Sequence, residues 1–159
     1  MIIIGIGVVA SIRLFSACSM ENRTSNQMTT AMLLCSHVRE AMVGLTFNDP
    51  ISGETNFGFE SGETLVSFDD VDDFDGQTFN PPIDSLRSTI TSMGQYTQVV
   101  SVFPVFPNKL NSNLNELAPE IPKTTYTGAV RVRVRVLYKA NAADPAQEVY
   151  RASWTRLDN

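Results

Sequence analysis

Residues 1–50 read MIIIGIGVVASIRLFSACSMENRTSNQMTTAMLLCSHVREAMVGLTFNDP, and Pro50 is the first of eight prolines in the chain. Because proline in a helix interior removes a hydrogen bond and clashes with the preceding turn, the segment before Pro50 is free to form one uninterrupted helix. Gly44 and the run 48–50 supply its stop signal. A helix of about 45 residues is roughly 68 Å long, which is far longer than a small soluble domain needs.

The first part of this helix is apolar on every side. Between Ile2 and Cys18 the only charged residue is Arg13. This run of about 17 residues is shorter than the roughly 20 that cross a bilayer comfortably, and Arg13 can reach headgroups from its end. We predict that residues 1–20 form a half-helix that anchors in a membrane or packs in a filament core. The residues expected to pack against other helices are Ile2, Ile3, Ile4, Gly7, Val8, Ser11, Ile12 and Phe15.

Three other interpretations of the apolar run compete with this one. A cleaved signal peptide needs a basic segment before the run, and only Met1 precedes it. A lipoprotein signal is suggested by Phe15-Ser16-Ala17-Cys18, which is similar to a lipid-attachment box and would tether a binding domain of residues 19–159 through Cys18. The run could also be a buried core helix of a soluble protein. The continuation beyond Cys18, which contains no glycine or proline before Gly44, favours the anchored helix.

The second part of the helix is amphipathic. Its apolar side chains recur mostly at intervals of three or four residues, the spacing of one helical face. We predict that this face packs under a sheet and belongs to a globular head of residues 21–159. The residues expected to face the head core are Met28, Met32, Cys35, Val38, Met42 and Leu45.

The rest of the chain predicts a small antiparallel sheet. Residues 95–103 (QYTQVVSVF) are rich in β-branched and aromatic side chains and predict a strand, and residues 64–68 (TLVSF) are compatible with a strand or a strand edge. Residues 124–139 contain AVRVRVRVLY, which alternates with a period of two, and residues 148–157 follow after a short turn. These last two strands are expected to form a hairpin. The predicted fold class is therefore α+β, with a long N-terminal helix packed on a small antiparallel sheet.

The alternating strand has two chemically different faces. Its valines occupy one face and its arginines, Arg131, Arg133 and Arg135, occupy the other. The arginine row either pairs with the acidic middle segment across the sheet or meets an anionic surface. No aromatic residues are interleaved with the row, and the net charge of -5 and pI of about 4.8 disfavour nucleic acid as a partner.

An acidic segment precedes Gly76. Five carboxylates crowd into residues 69–75, and crowded carboxylates repel one another unless a cation or a donor neutralises them. Calcium is the candidate cation, because it accepts several oxygen ligands in flexible geometry. The calcium-loop register nevertheless fails, since its first ligand position falls on Val71, and this favours a solvated loop anchored by Val71 and Phe74 with aspartates capping turns. The candidate calcium ligands are Asp69, Asp70, Asp72, Asp73 and Asp75.

Cysteine and histidine usage points away from catalysis. Cys18 and Cys35 are 17 residues apart, so their Cα atoms lie roughly 25 Å apart on a straight helix, whereas a disulfide needs roughly 7 Å or less. His37 is the only histidine and has no catalytic or metal-ligand spacing around it. We therefore expect no enzyme activity, no small-molecule substrate and no cofactor other than the calcium considered above.

The layout resembles the type IV pilin-like proteins, which include pilins, minor pilins and the pseudopilins of type II secretion. The stretch IIIGIGVVAS is similar to the apolar part of their N-terminal helix. The segment FDDVDDFDGQTFNPP is similar to the Asp-rich segment of minor pilins related to the mannose-sensitive haemagglutinin pilus. The resemblance is strongest over residues 1–50 and 66–82.

This resemblance implies a structural subunit. Its helix would anchor in the inner membrane with a periplasmic head and then pack with other pilin or pseudopilin subunits in a periplasmic or extracellular filament. The basic leader, the Gly cleavage site, the aromatic first mature residue and the Glu of the family are absent here. The resemblance thus implies that Met1 falls about ten residues inside the mature family helix. Either this start is internal to the reading frame, or the sequence is truncated relative to the family pattern, or the protein is not processed.

Overall fold

The computed structural model describes residues 2–47, 57–60, 62–112, 120–123 and 125–158, with side chains from Ser11 onward. One helix, α1 (Ile2–Ala41), precedes four strands: β1 (Thr78–Phe79), β2 (Tyr96–Pro104), β3 (Ala129–Tyr138) and β4 (Gln147–Leu157). Two short 3₁₀ turns lie at Asp72–Phe74 and Thr91–Met93. The strands form one antiparallel sheet in the order β1-β2-β3-β4. The α+β prediction, a long helix on a small antiparallel sheet, is confirmed.

Helix α1 is continuous through both of its predicted halves. It spans 40 residues and is therefore about 60 Å long. It ends at Ala41, slightly before the predicted end near Gly44, because the chain tightens there into turns with hydrogen bonds from Met42 N to Arg39 O (3.2 Å) and from Val43 N to Glu40 O (3.1 Å). The predicted stop at 48–50 lies outside the described residues.

Two arginines that are distant in sequence hold the end of α1. Arg156 of β4 donates to Met42 O (2.6 Å) and to Leu45 O, and Arg87 donates to Ala41 O (3.4 Å) as well as to two loop carbonyls. The last carbonyls of a helix have no partner within the helix, and cations complement the negative end of its dipole. These two side chains therefore join the helix end to the sheet and to the 84–88 turn.

The face of α1 that packs on the sheet is rotated from the predicted one. Cys35, Val38 and Met42 are buried as expected, and Leu45 is half-buried. The predictions for Met28 and Met32 are wrong, because these side chains are 44% and 42% exposed. With 100° between successive residues, Met32 lies about 120° around the helix from Val38, and the small sheet covers only a narrow stripe. The buried stripe consists of Ala31, Leu34, Cys35, Val38, Ala41 and Met42.

The sheet confirms the predicted hairpin. Strands β3 and β4 pair antiparallel, with one bulge between Val136 and Leu137. The four valines of β3 are buried in the core beneath α1, and the arginines occupy the opposite face, where Arg131 and Arg133 are also buried. The strand predicted at 64–68 is wrong. That segment turns back on itself, with Ser67 N and Phe68 N both donating to Thr64 O, and the short strand β1 lies further along the chain.

A single buried amide connects the helix, a loop and the sheet. Gln98 of β2 lies on the helix side and is fully buried. Its Nε2 donates to Leu34 O in α1 (2.8 Å) and to Ile83 O (3.1 Å), and its Oε1 accepts from Ile83 N (2.8 Å). Buried polar groups need such partners, because an unmatched one loses its hydration without compensation. Gln98 therefore fixes the position of α1 and of the 83 loop over the sheet.

Candidate functional site

The N-terminal part of α1 has no cover from the head. Every residue at 11–26 is exposed, and burial begins only where the helix reaches the sheet, at Ala31. We call residues 2–26 the stalk. The backbone of Ile2, Ile3, Ile4, Gly7 and Val8 lies in this helix, while their side chains lie outside the described residues.

The described stalk presents large apolar side chains to its surroundings. Ile12, Leu14, Phe15 and Met20 are all more than half exposed, and Phe15 is 77% exposed. The Thr24 hydroxyl donates to Met20 O (3.1 Å), so this polar group is satisfied within the helix itself. Among the residues that the structure describes, no helix combines the length and apolarity required to span a membrane. The stalk offers a surface on which other helices can pack.

The acidic segment is folded around its own backbone. The Asp70 Oδ1 accepts from the amides of Asp72 (2.9 Å) and Asp73 (3.1 Å), and the Asp73 Oδ2 accepts from those of Asp69 (2.9 Å) and Asp70 (3.2 Å). The two carboxylates thus bind the two ends of one turn reciprocally. Capping of turns by aspartates and anchoring by the buried Val71 and Phe74 are confirmed. The prediction of a solvated loop is wrong for Asp70 and Asp73, which are buried because the segment packs on the core.

The other two aspartates bind elsewhere. The Asp72 Oδ2 accepts from Gly58 N (2.9 Å), and the Asp75 Oδ1 accepts from Val102 N of β2 (2.8 Å). Asp75 also forms an ion pair with Lys123. Asp75 is thus engaged away from the acidic segment, whereas the Asp72 carboxylate binds Gly58 N and still lies near Asp70.

The remaining carboxylates form two overlapping groups that could hold a cation. One group is Asp69, Asp70 and Asp73, and the other is Glu60, Glu63 and Asp73; within each group one ligand atom per residue lies within 4.8 Å of the others. Sequence reasoning missed Glu60 and Glu63, because no spacing rule connects them to a turn ten residues later. We call these five residues the acidic cluster. Calcium binding there stays a prediction.

Burial changes the acidity of this cluster. It raises the pKa of Asp70 from an ordinary 3.8 to about 8, and the nearby Asp72 carboxylate adds to the effect. It also raises the pKa of Asp73 to about 6, against the amide hydrogen bonds from Asp70 and Asp69, which lower it. Both carboxyls therefore hold protons more tightly in the folded chain than in the unfolded chain.

Replacement of Asp70 by asparagine is expected to flatten the pH dependence of stability. Between the ordinary carboxyl pKa of 3.8 and the raised values of about 6 and about 8, the folded chain binds more protons than the unfolded chain. The contribution of these groups is thus present at low pH and lost as the pH rises through the folded values. We expect the Tm of the native chain to fall by several degrees from about pH 5 to about pH 8. The decrease in Tm over this pH range should be much smaller in Asp70→Asn, because the amide does not ionise and its oxygen still accepts both backbone hydrogen bonds.

Asp84→Asn provides the matched control. The Asp84 Oδ1 also accepts two backbone amides, from Leu86 (2.9 Å) and Ser88 (2.8 Å), but it does so at the surface. This variant should keep the native pH profile, and an equally steep fall in Asp70→Asn would contradict the buried-carboxyl explanation. Repeating the scans near pH 8 with calcium chloride tests the calcium prediction, since a bound ion would raise the native Tm and Asp70→Asn would reduce the rise.

The cysteines and the histidine show no catalytic arrangement in the described residues. Cys18 is exposed on the stalk, Cys35 is buried in the head, and neither forms a disulfide, as predicted. The Cys35 Sγ donates a hydrogen bond to Val134 O (3.7 Å). Burial raises the pKa of this thiol to about 11. A thiol with such a pKa is a poor nucleophile. His37 is half-buried in α1, in the helix that packs on the sheet.

Comparison with known proteins gives no assignment for this arrangement. No protein-family model, no curated protein and no solved structure matches the chain. The features that bear on function are therefore the exposed stalk and the acidic cluster of the head.

Proposed function

We propose that the chain is a structural subunit of the type IV pilin-like class, a minor pilin or pseudopilin that joins a type IV pilus-like or type II secretion filament through its N-terminal helix. One observation carries the proposal: a single unbroken helix is buried in the head at one end and exposed with apolar side chains at the other. Exposed apolar surface of this extent is rare on soluble monomers and is characteristic of an interaction site.

The stalk supplies the energy of assembly in this proposal. Burying one large apolar side chain contributes about 1.5–3 kcal/mol, and several of them project from the stalk. Before assembly the stalk is stored in the inner membrane with the head in the periplasm, and on assembly lipid contacts are exchanged for contacts with other stalks. The head contributes the surface that selects neighbouring subunits, and no catalysis is required.

The sequence supports the same class independently of the exposure. The apolar run at 2–11 is similar to the N-terminal helix of type IV pilin-like proteins, and the segment at 68–82 is similar to the Asp-rich segment of minor pilins. The segment at 68–82 is connected to the residues that follow the helix. The N and the Oγ1 of Thr46 both donate hydrogen bonds to Asp69 O (3.1 Å each).

Phe15→Asp is expected to abolish incorporation into filaments while leaving the head folded. A charge at this position cannot be buried between apolar helices without a partner, and Phe15 makes no contribution to the head core. The measurement is the amount of the subunit in sheared filaments relative to its amount in cells, together with the Tm of the purified variant. Leu86→Asp is the control, because Leu86 is similarly exposed (83%) but lies on the head. Native incorporation of Phe15→Asp would contradict the proposal.

A lipoprotein tethered through Cys18 is the alternative function, and the exposure of Cys18 leaves its sulfur accessible. The two functions differ in covalent chemistry. Mass spectrometry of the mature N-terminus should find Cys18 unmodified and internal for a filament subunit. A diacylglyceryl group on an N-terminal Cys18 would replace the filament proposal by the lipoprotein.

A further inference from the structure

A cavity of about 550 Å³ that is open to solvent lies at the end of the sheet where β2 begins and β3 ends. A smaller cavity of about 310 Å³ adjoins it through Ala140 and reaches Gln27 on α1. The larger cavity has the size of pockets that hold small ligands. It is lined by Asn80, Gly94, Gln95, Thr97, Lys139, Ala140, Asn141 and Ala142.

Hydrogen bonds fix the walls of this cavity. The pairing of β2 with β3 continues one residue past Tyr96, through a hydrogen bond from Lys139 N to Gln95 O (2.9 Å). The Asn80 Nδ2 lies within hydrogen-bond distance of Gly94 O (3.0 Å), Tyr96 O (2.8 Å) and Thr97 Oγ1 (2.9 Å). A cavity whose walls are already held in place loses little conformational entropy when a ligand binds.

The opposite wall is a closed turn. Asn141 donates from its backbone N (2.9 Å) and from its Nδ2 (2.8 Å) to the Asp144 Oδ2. These bonds occupy the Asp144 Oδ2, and Asp144 lines the smaller cavity and not the larger one. The larger cavity is therefore lined without a carboxylate, although the chain carries a net charge of -5.

The charge of the cavity comes from Lys139. Lys109 and Lys123 form ion pairs with Glu120 and Asp75, whereas Lys139 has no such pair within the described part of the chain. Lys139 shares the lining with amide side chains and one hydroxyl. Amide oxygens accept hydrogen bonds from the hydroxyls of a ligand, and amide nitrogens without another partner donate to them. An ammonium without a carboxylate neighbour attracts an anionic group.

We propose that this cavity binds a small hydroxylated anion, of the sugar-acid or sugar-phosphate type. Lys139 pairs with the carboxylate or phosphate, the Asn80 Oδ1 accepts from a hydroxyl of the ligand, and the Gln95 amide bonds its other hydroxyls. The site is for binding and not for catalysis, because its lining contains no nucleophile with an adjacent base. The proposal is independent of filament assembly, since every lining residue belongs to the head.

Calorimetric titration of the full chain with D-glucuronate, D-glucose 6-phosphate and D-glucose tests the proposal. We expect at least one of the two anions to bind, and glucose to bind about tenfold more weakly or not at all, since it lacks the charged group. The tighter of the two anions identifies the charged group that the cavity prefers. Acetate and inorganic phosphate test the hydroxyl contacts, because they carry the charged group without the sugar. If acetate bound as tightly as glucuronate, or phosphate as tightly as glucose 6-phosphate, the proposed hydroxyl contacts would be wrong.

Substitutions assign the binding to Lys139. Lys139→Gln should weaken binding of the anion by about tenfold. Lys139→Arg should retain most of the affinity because it keeps the charge. Lys109→Gln is the matched control and should bind as the native chain does. An unchanged Tm of Lys139→Gln, expected because this side chain is exposed, shows that its folding is intact. Binding of neither anion, or equal binding by Lys139→Gln, would overturn the proposal.

Discussion

Leu34→Pro is expected to unfold the head. Leu34 is fully buried on the stripe of α1 that contacts the sheet. Proline at this position removes one helical hydrogen bond and clashes with the preceding turn, and the lost leucine leaves a cavity. Together these effects cost about 5 kcal/mol or more, which is comparable to the whole stability of a small domain. The measurement is the fluorescence of Trp154, the only tryptophan, whose ring lies 5.9 Å from the Arg39 guanidinium of α1.

Leu14→Pro separates the stalk from the head in the same assay. Leu14 is a leucine of the same helix, but it is 66% exposed and makes no contribution to the head core. This variant should lose helical signal in circular dichroism while its head keeps the native Tm and tryptophan fluorescence. A native Tm for Leu34→Pro would mean that the helix does not support the head. Unfolding of the head by Leu14→Pro would mean that the stalk is part of its folding unit.

Gln98→Leu is expected to be the most damaging substitution of a polar side chain. The leucine fits a similar volume but can neither donate nor accept, so the amide and the carbonyl of Ile83 lose their partner in a buried place. Leu34 O loses its bond to the sheet as well. We expect a loss of about 2–4 kcal/mol in the free energy of unfolding, measured by urea titration.

Gln147→Leu is the control for that experiment. Gln147 is also a glutamine in a strand, but it is exposed at the start of β4. Surface substitutions of this kind change stability by about 0.5 kcal/mol or less. Equal losses in the two variants would show that hydrophobic substitution itself is harmful, and that the three bonds of Gln98 are not the cause.

Local periodicity was a reliable guide to the main elements. The proline-free segment gave the continuous helix, and the alternation of valine and arginine gave β3 and the faces of its side chains. Both signals arise within one element, because a helix or a strand repeats its side-chain directions at a fixed period. The segment at 64–68 had the composition of a strand but pairs with no strand among the described residues, and it forms turns instead.

The orientation of the helix was less predictable. Met28 and Met32 are as apolar as the residues that replace them in the core, so hydrophobicity alone does not distinguish the two faces. The rotation is set by partners far away in the chain: Gln98 binds Leu34 O, and Arg156 binds the carbonyls at the helix end. Such contacts depend on the register between the helix and the sheet, which no short window of sequence contains.

The candidate site shows the same division. The sequence by itself determined that a long helix begins with an apolar stalk, that an alternating hairpin closes the chain and that five aspartates crowd before Gly76. Only the tertiary structure decided which carboxylates lie together, namely Asp69, Asp70 and Asp73 with Glu60 and Glu63. It also decided that Asp75 forms an ion pair with Lys123, and that Lys139 lines a cavity without a carboxylate. The physical reason is that hydrogen-bond periodicity acts between near neighbours in the chain, whereas burial and charge pairing act between groups that only folding brings together.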